Sequence, residues 1–370
     1  MNSSSLPPRS ELKSRLERFR EIMHRREISS ALITDERNVR YLSGFTGTDS
    51  ALLITGKRKF LLTDFRFIEE ASNTAPGWRK ILKPRGLMEK AGTVAKKQRL
   101  RRLAVEPGDM RMSDIRELRK FAKGVKVRPQ DAMVAELRLC KSPWEVTQIE
   151  NALRIQEACF KEICKALRPG MSERDAAAEL RYRMTKAGAD DESFACMFQL
   201  GSHSSLPHGR PTGRKFTGDA VILVDWGAKL NGYHSDLTRT FFMGSIPPKL
   251  RHIHSLVLEA QRQAIERIAP GVEFSDVDKV ARSVIAKGGF GKQFGHSTGH
   301  GIGLNVHEAP TLSARGKGQL APGMIVTVEP GIYLPGVGGV RIEDDVLVTE
   351  TGRRVLSRIG KGLRWDGTND

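Results

Sequence analysis

Residues 221–242, VILVDWGAKLNGYHSDLTRTFF, hold one aspartate inside an apolar run and a second on the returning segment. The stretches 221–228 and 233–243 read as the two strands of a hairpin, short runs rich in β-branched and aromatic residues around a polar turn. With the turn centred between Leu230 and Asn231, Asp225 and Asp236 stand directly opposed, with Cβ atoms about 4.5–5.5 Å apart. Two carboxylates facing each other on a largely buried sheet repel and lose hydration, which is costly unless a cation lies between them. The spacing asks for a metal.

A second hairpin repeats the pattern. Glu329 ends the run MIVTVE and Glu343 lies in GVRIEDD, so a turn near Gly336 opposes this pair as well, across strands at 325–329 and 340–348. Between the hairpins comes GHSTGHGIGLNVHEAP (295–310), which places His296, His300 and His307 in a glycine-rich stretch where side chains can approach a ligand closely. Eight of the nine histidines follow residue 200, which concentrates imidazole chemistry in this half; His252 and His254, on an amphipathic helix, read as surface residues. A lone acidic residue on a strand is ordinarily a solvated edge residue. Four carboxylates in two opposed pairs around a histidine cluster are covered together by a dinuclear metal site. The Gly-x-Gly-x-Gly at 299–303 lacks the βαβ setting and the third glycine spacing of a dinucleotide loop.

Outward from this centre, the 370 residues suit two domains, with 39% hydrophobic residues giving each a core. In the first, short apolar runs at 30–34, 51–55, 60–63 and 103–106 alternate with amphipathic stretches at 11–26 and 113–123, which indicates an α/β domain over 1–135. Residues 136–146 form a linker and helix start. There Ser142-Pro143-Trp144-Glu145 announces a helix, with Ser as cap, Pro at the first helical position and Glu three after the cap. The helix runs to Pro169-Gly170. Helices at 172–186 and 250–268, each followed by a hairpin, make 147–365 an internally repeated α+β unit, and 366–370 is expected to fray.

The formal charge of +18 is uneven: residues 1–140 hold 31 basic and 17 acidic side chains, and 141–370 hold 30 and 26. The basic runs 96–102 and 116–128 carry no interleaved aromatics beyond Phe121, so they read as a solvated face rather than a nucleic-acid surface. The four cysteines form no CxxC pair and read as reduced packing residues. With no export signal at 1–16 and no apolar run near the roughly 18 residues of a membrane span, the expected setting is the cytoplasm.

With these residues in hand the sequence resembles the Xaa-Pro peptidase branch, aminopeptidase P and prolidase, of the pita-bread metallopeptidases. The resemblance spans nearly the whole chain and is strongest over LPHG (206–209), DWGAKLNGYHSDLTRT (225–240), GHSTGHGIGLNVHEAP (295–310), VEPGIY (328–333) and GVRIEDDVLV (339–348). It implies an α+β pita-bread catalytic domain preceded by a creatinase-type α/β domain. It further implies metal ligands at Asp225, Asp236, His300, Glu329 and Glu343, with Asp236 and Glu343 bridging two divalent ions. The oxygen-rich ligand set suits Mn²⁺ first, then Co²⁺, Fe²⁺ or Zn²⁺. His208 falls on the family's proton-handling histidine, His307 on the one that contacts the scissile carbonyl, and His296 and Arg341 on substrate-pocket positions. Glu329 would also take a proton from the attacking water, and the creatinase-type domain implies a homodimer.

One departure bears on substrate. Prolidases often carry Arg directly after His-Glu-x-Pro, where it can hold a dipeptide's free carboxylate; this chain has Thr311 there. The expected activity is therefore an Xaa-Pro aminopeptidase acting on proline-containing peptides, with Xaa-Pro dipeptidase (prolidase) as the alternative. A non-catalytic relative that binds nucleic acid or a protein partner is the rival of another class, and the intact ligand set argues against it.

Overall fold

The computed structural model describes residues 6–364, so the tail expected to fray lies outside the described residues. The chain divides into two units, one ending at Arg138 and the other starting at Leu139.

The first unit is built on a six-stranded mixed sheet in the order Arg79–Leu82, Lys59–Thr63, Ala51–Thr55, Ser30–Ile33, Arg102–Val105, Lys126–Pro129. The central strands are the apolar runs legible in the sequence, and Leu32, Leu53, Leu62 and Leu103 are fully buried between helices. The two outer strands were not legible, because an edge strand such as Arg79–Leu82 keeps a half-exposed and polar composition. Every basic side chain in 96–102 and 116–128 is exposed, as a solvated face requires.

The second unit is two copies of one device, a helix pair followed by antiparallel strands. Pro143–Ala166 opens it with the expected capping box: the Glu145 N–H donates to Ser142 Oγ at 3.3 Å and the Ser142 N–H to Glu145 Oε2 at 3.1 Å. Glu173–Lys186 follows, capped by Ser172, and then a three-stranded sheet with Ala220–Trp226 between Leu237–Met243 and Met197–Leu200. In the second copy Pro248–Arg267 and Phe274–Lys287 precede a five-stranded sheet in which Gly299–Gly301, Ile325–Val328 and Asp344–Val348 are neighbours. The helix Phe274–Lys287 was not anticipated, although Phe274, Val277, Ala281 and Ile285 keep helical spacing and are buried. Asp278, fully buried on that same face, interrupts the apolar stripe.

The first hairpin differs in register from the expectation. Its turn is Asn231-Gly232, with φ of 51° and 76°, so Asp225 pairs with Thr238 and not with Asp236. A two-residue type I′ turn needs φ > 0 at both central positions, and Asn-Gly supplies this at least cost. The turn thus falls one residue later and every pairing shifts by two. A shift of two keeps each side chain on its face of the sheet, so Asp236 stays beside Asp225 as a diagonal neighbour. The second hairpin has the expected register: Val328 pairs with Asp344 and Gly331 with Arg341, which leaves Glu329 opposite Glu343.

Cys159, Cys164 and Cys196 are buried. Among the described residues no helix is long and apolar enough to cross a membrane.

His254 corrects another expectation. It is 2% exposed, on the packed stripe with Leu250, Ile253 and Val257, and its Nε2 lies 3.2 Å from the Thr240 carbonyl. His252 is exposed, as expected. Burial pulls the His254 imidazole from 6.5 down to about 4. The unfolded chain therefore binds a proton here that the folded chain refuses, and stability should fall as pH drops from about 6.5 to about 4. Chemical denaturation across that window should show a flatter profile for His254→Gln than for the parent; identical profiles would contradict the shift.

Candidate active site

The two copies of the device bring their acidic residues to one cavity of about 510 Å³. It is lined by Asp225 and Asp236 from the first copy, His300, Glu329 and Glu343 from the second, and by His208, His296, His307, Arg341 and Thr311. All nine expected site residues, and Thr311, are thus brought together. Asp225, Asp236, His300 and Glu343 are buried, whereas His208 and His307 are exposed at the cavity.

Ligand atoms of Asp236, His300 and Glu343 all lie within 4.8 Å of one another. His300 Nε2 is 3.2 Å from Glu329 Oε1 and 3.8 Å from Asp236 Oδ2. Asp225 Oδ2 accepts from Arg341 Nη2 at 2.5 Å, while its other oxygen, buried, has no hydrogen-bond partner among the described residues. An unpartnered carboxylate oxygen beside three further carboxylates fits a cation, and four carboxylates with one imidazole, whose Nδ1 can donate to the Gly301 carbonyl and leave Nε2 as acceptor, suit hard or borderline divalent ions.

The electrostatics agree. Burial raises the Asp236 carboxyl well above its ordinary range, and the neighbouring Glu343, Asp225 and Glu329 raise it further. Glu343 is raised for the same reasons, burial first and then Glu329 and Asp225. Burial also pushes Glu329 up, but its hydrogen bond to His300 and the charges of His300, His296 and Arg341 prevail and bring it down to about 2. Burial lowers His296 and His307, which favours neutral imidazoles.

Several residues that hold the site were not legible. Thr238 donates to Glu343 Oε2 at 2.7 Å and accepts from Arg341 Nε at 3.0 Å. Tyr333 Oη accepts from Arg341 Nη1 at 2.8 Å and lies 3.0 Å from His296 Nε2. Thr327 Oγ1 accepts from the His300 N–H at 3.1 Å and lies 3.1 Å from Glu329 Oε1, to which it donates. Tyr333 stands within the quoted VEPGIY motif and Thr238 within the quoted stretch 225–240, while Thr327 is an ordinary strand residue. The glycines around His300 act through the backbone: a Cβ on Gly299 would run into the Thr327 carbonyl, and one on Gly301 into that of Ala309. The imidazole is held where neighbouring strands approach too closely for any side chain.

Glu173 was also missed, because an acidic residue in a first helical turn reads as a dipole partner. It is fully buried. Its Oε1 accepts from the Leu200 N–H at 2.8 Å, and its Oε2 from the N–H and hydroxyl of Thr212 at 2.8 and 2.7 Å. His203 Nδ1 lies 2.9 Å from both oxygens. One carboxylate thus closes both ends of the loop that carries Pro207, His208, Gly209 and Arg210.

The chain matches "Metallopeptidase family M24" over residues 147–350 and "Creatinase/Prolidase N-terminal domain" over 15–140. It is 33% identical over 357 residues to a protein of Pyrococcus horikoshii named Xaa-Pro dipeptidase, covering 95% of this chain and 99% of that one. Among solved structures, an Xaa-Pro dipeptidase from Bacillus anthracis is similar with a TM-score of 0.92 at 37% identity, covering 95% of this chain and 99% of that one. An X-Pro aminopeptidase from Thermotoga maritima is similar with a TM-score of 0.86 at 33% identity, over 92% of this chain and 99% of that one. The chain belongs to metallopeptidase family M24, with a creatinase/prolidase N-terminal domain ahead of the pita-bread domain. It is a metallopeptidase.

Glu173→Ala should remove the clamp and leave the Leu200 and Thr212 amides without their acceptor. Each such orphaned group costs about 1–3 kcal/mol, so a loss of roughly 2 kcal/mol or more is expected in urea denaturation. A midpoint equal to the parent's would show that water replaces the carboxylate without cost.

Proposed function

We propose that this protein is an Xaa-Pro dipeptidase (prolidase), which hydrolyses the peptide bond between an amino-terminal residue and a carboxy-terminal proline. The observation that carries it is the near full-length likeness to chains named Xaa-Pro dipeptidase, at 33% and 37% identity. These names favour the dipeptidase over the aminopeptidase expected from Thr311. The aminopeptidase remains the second reading, on the likeness to the Thermotoga maritima X-Pro aminopeptidase at 33% identity and on the uncharged side chain of Thr311.

In this reading Asp225, Asp236, His300, Glu329 and Glu343 would hold two divalent ions, most suitably Mn²⁺, with Asp236 and Glu343 shared between them. When bound, such ions supply a nucleophile at neutral pH and Lewis-acid polarisation of the carbonyl. The chain's own residues then divide the remaining work. Arg341 holds Asp225 in place from one side, and Thr238 orients Glu343 from the other. Glu329 takes the proton of the attacking water. His307 donates to the carbonyl oxygen as negative charge develops there, and His208, at the exposed side of the cavity, delivers a proton to the departing proline nitrogen. His296, whose Nε2 shares the Tyr333 hydroxyl, positions the substrate beside Arg341.

The deciding measurement compares Gly-Pro with Gly-Pro-Pro on the purified protein supplied with Mn²⁺. A dipeptidase gives the higher kcat/KM on Gly-Pro, whereas a clear preference for Gly-Pro-Pro would install the aminopeptidase reading. Chelation should abolish hydrolysis and Mn²⁺ or Co²⁺ should restore it; activity that persists through exhaustive chelation would remove the metal from the mechanism. Glu343→Ala, as a bridging ligand, should bring the bound metal from two ions per chain to none. Elemental analysis showing one ion tightly retained would reassign Glu343 to a single metal.

A further inference from the structure

A dipeptidase must recognise the negative charge that ends its substrate, and Thr311 cannot supply the opposite charge. Two arginines and no lysine line the cavity among the described residues. The first, Arg341, is already committed: its Nη2 donates to Asp225, its Nη1 to Tyr333 Oη and the Pro207 carbonyl, and its Nε to Thr238. It is buried, and four of its five N–H donors are spent on these partners. The second, Arg210, is exposed, and its guanidinium makes no hydrogen bond or ion pair among the described residues.

Arg210 is also well placed along the chain. The Pro207 carbonyl accepts from Arg341 Nη1 at 3.3 Å, so one guanidinium ties Asp225 to the backbone three residues before Arg210. Glu173 anchors Leu200 and Thr212 on either side. Gln199 Nε2 donates to the His203 and Leu206 carbonyls at 3.1 and 2.8 Å, which folds the loop on itself. The loop backbone is therefore held in advance while the Arg210 head stays uncommitted. A planar guanidinium matches a carboxylate through two parallel hydrogen bonds, and holding its backbone beforehand limits the entropy lost on binding.

We propose that Arg210 is the specificity-determining residue that binds the free carboxylate of the substrate's carboxy-terminal proline, in the role that the residue at 311 cannot fill. The assignment rests on the dipeptidase reading and names the part of the site that enforces it. The contact exists in the bound substrate as well as in the transition state, so its loss acts chiefly on KM.

The test compares Gly-Pro with Gly-Pro-amide, which lacks the carboxylate, on the Mn²⁺-loaded protein and on its Arg210→Gln and Arg210→Lys variants. The parent should favour Gly-Pro by about tenfold or more in kcat/KM, the scale of a hydrogen bond to a charged group. Arg210→Gln should collapse that ratio towards one, mainly through a raised KM for Gly-Pro, and Arg210→Lys should restore part of it. A parent that favours the acid together with an Arg210→Gln variant that keeps the full ratio would overturn the role of Arg210 and leave the dipeptidase reading standing. A parent that favours the amide would overturn both. Circular dichroism of the variants, with Arg210 exposed, should match the parent and separates loss of recognition from loss of fold.

Discussion

Asp225, Asp236, Glu329 and Glu343 share one buried space, and the repulsion among them is the constraint around which the second unit is organised. No apolar packing could hold four carboxylates together, because each loses hydration and gains like-charged neighbours. Three of the four are therefore met by a specific partner. Arg341 takes one oxygen of Asp225, His300 lies against Glu329, and Thr238 donates to Glu343. The partners are tied to one another through Thr238 and Tyr333, so the counter-charges cannot drift from the charges they offset. What remains unmet, including an unpartnered oxygen of Asp225, is the share left to metal.

The run Glu343-Asp344-Asp345 shows how strand geometry sorts charge. Side chains alternate across a strand, so three consecutive acids divide between two faces. Glu343 and Asp345 turn towards the site, where Asp345 Oδ2 accepts from the Asp236 N–H at 3.3 Å. Asp344 turns the other way, fully buried, into Arg239, Gln261 and Lys361. Burial pushes Asp344 up, but Arg239 and Lys361 outweigh it and hold the carboxyl below its ordinary value. Asp345 pairs with no lysine or arginine among the described residues, and burial, outweighing the Asp236 N–H and the charge of His300, raises it to about 8. Asp344 acts as a brace: Arg239 Nη2 reaches it at 2.8 Å while Nη1 bonds the Glu343 carbonyl, which fastens the Glu343 backbone to the opposite hairpin.

In the proposed reading, substrate recognition would lie on a different element from metal binding. The ligands come from strands whose register is set by backbone pairing, while His208 and Arg210 come from a loop with no regular partner. Loops carry variable function when a rigid scaffold fixes their ends. Here the scaffold is Glu173 on one side and Arg341 on the other, and both are buried charges whose hydrogen bonds are directional. On that reading, specificity could change with a residue or two in the loop without disturbing the buried carboxylates.

The sequence by itself determined which residues meet in the cavity. Charged residues inside apolar strands are rare enough to announce themselves, and the spacing about Gly336 placed Glu329 against Glu343 because hairpin pairing is arithmetic once the turn is known. The same arithmetic misplaced Asp225 by two residues, since the turn follows the residue pair that tolerates positive φ, Asn231-Gly232, and not the midpoint of the apolar pattern. Only the tertiary structure decided the partners. Thr327 and Glu173 look like ordinary strand or helix residues, Thr238 and Tyr333 stand in the quoted motifs without a readable role, and His254 looks like a surface residue. Their roles arise from contacts as distant in sequence as Thr238 to Glu343, 105 positions apart, and periodicity reports only on neighbours a few residues away. Which of two arginines is spoken for and which is free is a fact of the same kind, since it depends on whether another part of the chain has already met the charge.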